Sequence, residues 1–162
     1  MKRLFSVLLC AIVLFTCCVF QTNAINEEKF VPYVIDFSLT TPIYENVDKS
    51  VESRVSGLIL SYGLEVSITS AGLKIRGETY CITDVVKSGF KNLVVQRKKT
   101  TSATWSDYYD YGDIYSDTYS TSINTTLAVE AGYQYRVTCK HYAKKNLLMT
   151  QSISNTSNVV SV

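Results

Sequence analysis

The stretch Gly132–Tyr142 constrains this chain more than any other. Tyr133, Tyr135, Val137, Cys139 and His141 share one parity, and Gln134, Arg136, Thr138 and Lys140 fill the other. A period of two sustained over ten residues is a β-strand with one buried face. Cys139 points into that face, and the other cysteine in the body of the chain is Cys81, far upstream. A central strand tied to an early strand by a Cys81–Cys139 disulfide predicts the frame of a β-sandwich.

The pairing depends on the chain being exported. Met1-Lys2-Arg3 is basic, Leu4–Phe20 is apolar, and Thr22-Asn23-Ala24 offers a cleavage site of small residues, so residues 1–24 have the three-part layout of a secretory signal peptide. Cys10, Cys17 and Cys18 lie within it, leaving an even pair for an oxidising compartment. Lys2 and Arg3 leave with it too. The sixteen basic residues thereby fall to fourteen, equal to the acidic count, and the mature chain is neutral. Bulk charge gives no reason to expect nucleic acid or an anionic membrane as a partner. The predicted location is extracellular, with no stable membrane insertion after cleavage.

Roughly 140 residues remain, enough for one domain with a core. Residues 25–56 hold both prolines, Pro32 and Pro42, and no sustained period, which predicts an extended arm or linker. Within the arm, Tyr33, Ile35, Phe37 and Leu39 alternate and suit an edge strand. From residue 57 the character is β. Leu64, Val66 and Ile68 alternate, Ser70-Ala71-Gly72 turns, and Leu73, Ile75, Gly77 and Thr79 alternate again, with a parity change near Tyr80 suggesting a bulge at Gly77. Lys87-Ser88-Gly89 reads as a turn before the strand Phe90–Lys98. Trp105–Ser120 reads as a hairpin with its tip at Tyr111-Gly112-Asp113, Ser122–Val129 as a strand, and Leu147–Val162 as the last strand. About seven antiparallel strands in residues 57–162 predict an all-β, two-sheet, immunoglobulin-like sandwich. Two details depart from immunoglobulin domains. Val137 occupies the tyrosine-corner position two residues before the second cysteine, and Trp105 comes too late to be the core tryptophan.

The apolar strand ending Val94-Val95-Gln96-Arg97, the polar gap before Trp105, the run Glu130-Ala131-Gly132-Tyr133-Gln134-Tyr135-Arg136-Val137 and the pair His141-Tyr142 carry a further likeness. In these dispersed positions the chain resembles, from Leu58 to Val162, a group of short exported proteins of Gram-positive bacteria classed as a domain of unknown function. The resemblance implies a signal peptide, a variable arm and one small β-domain. It brings no catalytic residue with it.

No motif in the chain points to catalysis or to a cofactor. His141 is the only histidine, lacks a second zinc ligand, and has no nucleophile elbow to serve; it reads as a strand residue near a sheet edge. Asp107, Asp110, Asp113 and Asp117 are spaced by three, three and four, unlike the alternate-residue spacing of a calcium loop, so no metal site is expected. Arg97-Lys98-Lys99 reads as a solvated loop edge. The candidate site is the aromatic row Trp105, Tyr109, Tyr111, Tyr115 and Tyr119, whose flat rings with polar tips suit a sugar or a protein partner. The competing reading is that these rings pack across strands and cover the sheet. The sequence thus predicts a non-catalytic extracellular binding module. The alternative is a structural or self-associating surface component without a small ligand.

Overall fold

The computed structural model describes residues 30–40 and 57–162. The predicted signal peptide and most of the arm lie outside the described residues. Val31–Val162 form one compact unit, and its described residues contain nine strands: β1 (Val34–Thr40), β2 (Ile59–Thr69), β3 (Gly72–Cys81), β4 (Lys87–Lys99), β5 (Ser106–Ser116), β6 (Ser120–Leu127), β7 (Tyr133–Lys144), β8 (Thr150–Thr156) and β9 (Val160–Ser161). They make two antiparallel sheets, one ordered β1-β6-β3-β2 and the other β5-β4-β7-β8, with β9 pairing the start of β7. The arm therefore contributes an edge strand, β1, laid along β6.

The period of two in β7 holds: Tyr135, Val137, Cys139, His141 and Ala143 are all buried. In β3 the inward parity runs unbroken through Leu73, Ile75, Gly77, Thr79 and Cys81, and the register with β2 is continuous from Ser61–Tyr80 to Thr69–Gly72. The bulge expected at Gly77 is not there. Gly77 is glycine because the Phe90 ring lies over it, 3.0 Å from where a Cβ would stand.

The sheets enclose two apolar clusters. Leu73, Ile75, Phe90, Leu93, Val95, Ile123, Leu127, Tyr135 and Val137 belong to the larger one; Leu58, Ile59, Cys81, Val85 and Ala143 form the smaller. Each fully buried large apolar side chain is worth about 2 kcal/mol. Between the clusters runs a polar layer. Thr79 Oγ1 lies 2.8 Å from His141 Nδ1 and donates to the Gly89 carbonyl at 3.1 Å, while Ser88 and Thr121 bond at 2.6 Å. The predicted turn Lys87-Ser88-Gly89 is thus the start of β4, with Ser88 facing inward.

That layer explains why the expected Cys81–Cys139 disulfide is not made: both cysteines are free thiols. Thr79 faces His141 across the sandwich, so Cys81 falls level with Ala143, on one side of the imidazole, and Cys139 lies on the other. Ala143 and Cys139 are four residues apart on β7, about 13 Å along a strand, a stagger that a disulfide does not span without backbone movement.

The two long sides of the sandwich are closed by different chemistry. Along β2, side-chain amides from the other sheet supply the missing partners. Asn158 bonds both the N–H and the carbonyl of Val66, at 3.0 and 2.9 Å, and Gln151 Oε1 accepts from Leu58 N and Ile59 N. Along β5 the closure is tyrosine. Tyr108 OH donates to Ala128 O at 3.2 Å, Tyr111 OH bonds Thr125 Oγ1 at 3.2 Å, and the Tyr111 ring stacks on Phe37 of β1.

Candidate functional site

The aromatic row does not form one surface. Trp105–Ser120 is not a hairpin: Ser106–Ser116 is one strand along β4, and Gly112, at φ 70°, sits in an irregular register rather than at a tip. Three register shifts against β4 break the period of two, so Tyr108, Tyr111 and Ile114, three apart, all pack against the main cluster, with Tyr109 beside them. Tyr119 lies in the turn after β5 with its ring against Tyr80 at 6.0 Å. Trp105 and Tyr115 remain on the outer face of the five-stranded sheet. Simple parity had set all five rings together; the bulges separate them.

The outer face that holds Trp105 and Tyr115 carries a second feature. The β4–β7 register places Lys87 opposite Lys144 and Lys91 opposite Lys140, with Gly89 opposite Tyr142 between the two pairs. Like charges directly opposite each other weaken a sheet, and here they occur twice within one patch. Tyr115, on the other side of Gly89, meets the Tyr142 ring at 5.3 Å, so two rings close over the glycine. Lys91 Nζ lies 4.2 Å from the centre of the Tyr142 ring and Lys87 Nζ 5.7 Å from that of Tyr115. Toward the other end of the face, Trp105 sits beside Arg136 at 4.3 Å and Lys98 at 5.2 Å, and Gln96 joins Arg136 to Asp107. On β8, Ser152, Ser154 and Thr156 stand opposite Tyr142, Lys140 and Thr138, exposing a column of hydroxyls beside the cations.

The acidic residues are engaged singly. Asp113 accepts from Asn92 N and Tyr115 OH, which hold its carboxyl below the usual range in that order of effect. Asp110 caps Gly112 N, Asp107 bonds Gln96 and Asp117 pairs with Lys87. Among the described residues no three histidine, cysteine or acidic side chains converge. Arg97 is not a loop edge either. It points inward to Glu130, held between the rings of Tyr108 and Tyr133 at 4.5 and 4.4 Å.

Cys139, His141 and Asn155 bring together the residue types of a thiol-hydrolase triad, in the wrong arrangement. Thr79 spends its proton on Gly89 O, so Nδ1 of His141 carries the ring proton and Nε2 accepts. Asn155 Nδ2 at 3.2 Å and the Cys139 thiol at 3.7 Å both approach that same Nε2, whereas a relay needs nucleophile and orienting group on opposite nitrogens. His141 is 0% exposed. It is a core residue of a central strand, not an edge residue, and burial lowers its pKa to about 4. Burial pushes both thiols up to about 12, the reverse of an activated nucleophile. The network is structural.

The other sheet has an outer groove of about 580 Å³ over Gly63 and Gly77, lined by Glu65, Arg76, Glu78 and Asn124. Arg76 and Glu65 approach at 3.5 Å, both mostly exposed, and the one aromatic residue at its margin, Tyr62, has its ring against His141 in the core. The aromatic and cationic face of the five-stranded sheet is the better site. No family model, curated protein or solved structure matches the chain.

Proposed function

We propose that the protein is an exported, non-catalytic binding module of immunoglobulin-like topology that recognises an extracellular glycan bearing anionic groups. The topology reading is supported by the strand orders β6-β3-β2 and β5-β4-β7-β8 and by Tyr135. Its hydroxyl bonds both the N–H and the carbonyl of Glu130, each at 3.0 Å, at the turn from β6 to β7, in the manner of a tyrosine corner. The observation that carries the functional reading is the pair of facing lysine pairs around Tyr142 and Tyr115. A carboxylated or sulfated sugar relieves their repulsion, lays its ring against the tyrosines, and meets the β8 hydroxyls alongside. Trp105 and Arg136 extend the same surface.

The test is an array of neutral and acidic glycans probed with the protein and with a Trp105→Ala/Tyr142→Ala variant whose fold is checked by circular dichroism. Binding to acidic glycans that is lost in the variant is the expected result. No acidic hit, or a hit the variant retains, sinks the assignment.

The structural reading has its own support. β1 ends its sheet, and Ile35, Phe37 and Leu39 on it are each 42–45% exposed, an edge that a second copy can extend. Light scattering over a concentration series separates the two: self-association through β1 gives a mass that rises with concentration and is abolished by Phe37→Lys.

A further inference from the structure

The turn from β7 to β8 carries an apolar tip that the binding face does not use. Leu147 and Leu148 are 89% and 95% exposed, the most exposed of the described large apolar side chains, and Met149 follows at 50%. They stand consecutively at the end of a hairpin, so one tip presents all three. Beside them the turn before β4 places Val86, 55% exposed, with its N–H on the Lys144 carbonyl at 2.9 Å.

The backbone of this tip is closed on itself. Asn146 Oδ1 accepts from Leu148 N at 3.0 Å and from Met149 N at 2.9 Å, and Lys145 N donates to Met149 O at 3.0 Å. These bonds hold the tip in one shape, as an Asn does in an ordinary turn, and they leave few backbone amides to be desolvated if the tip leaves water. Behind the tip stand Lys87, Lys144 and Lys145, with Asp117 at 3.3 Å from Lys87 and Asp84 at 2.8 Å from Lys145. Three ammoniums against two exposed carboxylates leave this collar positive, and long lysine stems let the charges reach outward past the apolar tip. The tip itself has no tryptophan, tyrosine or arginine, the anchors that protein partners favour.

We propose that this end of the molecule docks on an anionic lipid surface, with Leu147, Leu148 and Met149 entering the interfacial layer and Lys87, Lys144 and Lys145 meeting the headgroups. Docking is peripheral, by a hairpin tip. It shares Lys87 and Lys144 with one end of the glycan face, whereas Leu147, Leu148 and Met149 belong to the tip alone, so changes at the tip separate lipid docking from glycan recognition.

The experiment uses the full chain with Trp105→Phe and Leu148→Trp, which makes residue 148 its one tryptophan. Because the reporter is at the tip, attachment by any other segment does not mimic the signal. With vesicles of phosphatidylcholine containing about a quarter phosphatidylglycerol, the emission should shift to the blue and be quenched by acyl chains brominated near the headgroup. Adding Leu147→Glu should raise the lipid concentration for half-quenching at least about tenfold. Emission that stays water-like with vesicles overturns the proposal. So does quenching equal on phosphatidylcholine alone, or a shift produced by a protein extract and not by lipid.

Discussion

His141 is a neutral imidazole in a buried polar layer, which makes it the clearest acid-labile group among the described residues. Its folded pKa of about 4 lies below the ordinary 6.5, so between those values the unfolded chain takes up a proton that the folded one refuses. Its contribution is present in full above about pH 6.5 and is lost as pH drops through the window, the loss reaching roughly 3 kcal/mol by pH 4. Urea unfolding at a series of pH values should show this slope, and His141→Phe, flanked by Phe90 and Tyr62, should flatten it. A slope unchanged in the variant would place the acid sensitivity elsewhere. Tyr135 is the second residue whose role is local and measurable. Tyr135→Phe removes both bonds to the half-buried Glu130 backbone, so it should cost about 1–2 kcal/mol. The cysteines give a third test. Native protein should resist alkylation at Cys81 and Cys139 and take up label at both once unfolded without reductant; a mass lower by two hydrogens would restore the disulfide.

At the scale of elements, β4 and β7 show a sheet built against its own electrostatics. Exchanging Lys140 for Glu replaces a like-charge pair with an opposite-charge one, so Lys140→Glu should stabilise the fold by about 0.5 kcal/mol. The same change should weaken any binding of acidic glycan to that face. Stabilisation without loss of binding would separate the lysine pairs from the site. Gly89 ties this patch to its geometry. At φ 153° and with the Ile114 carbonyl where a methyl would stand, it admits no side chain, and Gly89→Ala should cost about 3 kcal/mol or more while parting Tyr115 from Tyr142. The tyrosines of β5 have a different task. Tyr108 and Tyr111 close the side of the sandwich that Asn158 and Gln151 close opposite, which is why this edge strand is aromatic.

At the scale of the whole molecule, charge is sorted among the described residues although the chain's formal net charge is only +2. The lysines of β4 and β7 gather on one face and one end, and acidic glycan or anionic lipid binding should therefore fall steeply with added salt, by tenfold or more between about 0.05 and 0.5 M. The all-β class, the inward parity of β7 and the edge strand drawn from the arm were legible in the residues, because a period of two and a turn residue are local facts. The bonds of the Tyr135 hydroxyl to Glu130 were less so: Tyr135 was visible as an inward strand residue, but the two-residue offset from a cysteine directed attention to Val137. What the sequence could not carry was register. Whether Cys81 meets Cys139 depends on the stagger between strands of different sheets, set by Thr79 bonding to His141. Whether five aromatics share a face depends on bulges in β5 that arise from its pairing with β4. Opposed lysines, likewise, are distant in the chain and adjacent only in the sheet. Periodicity fixes which way a side chain points within its own strand, and only the packing of strands decides what it then faces.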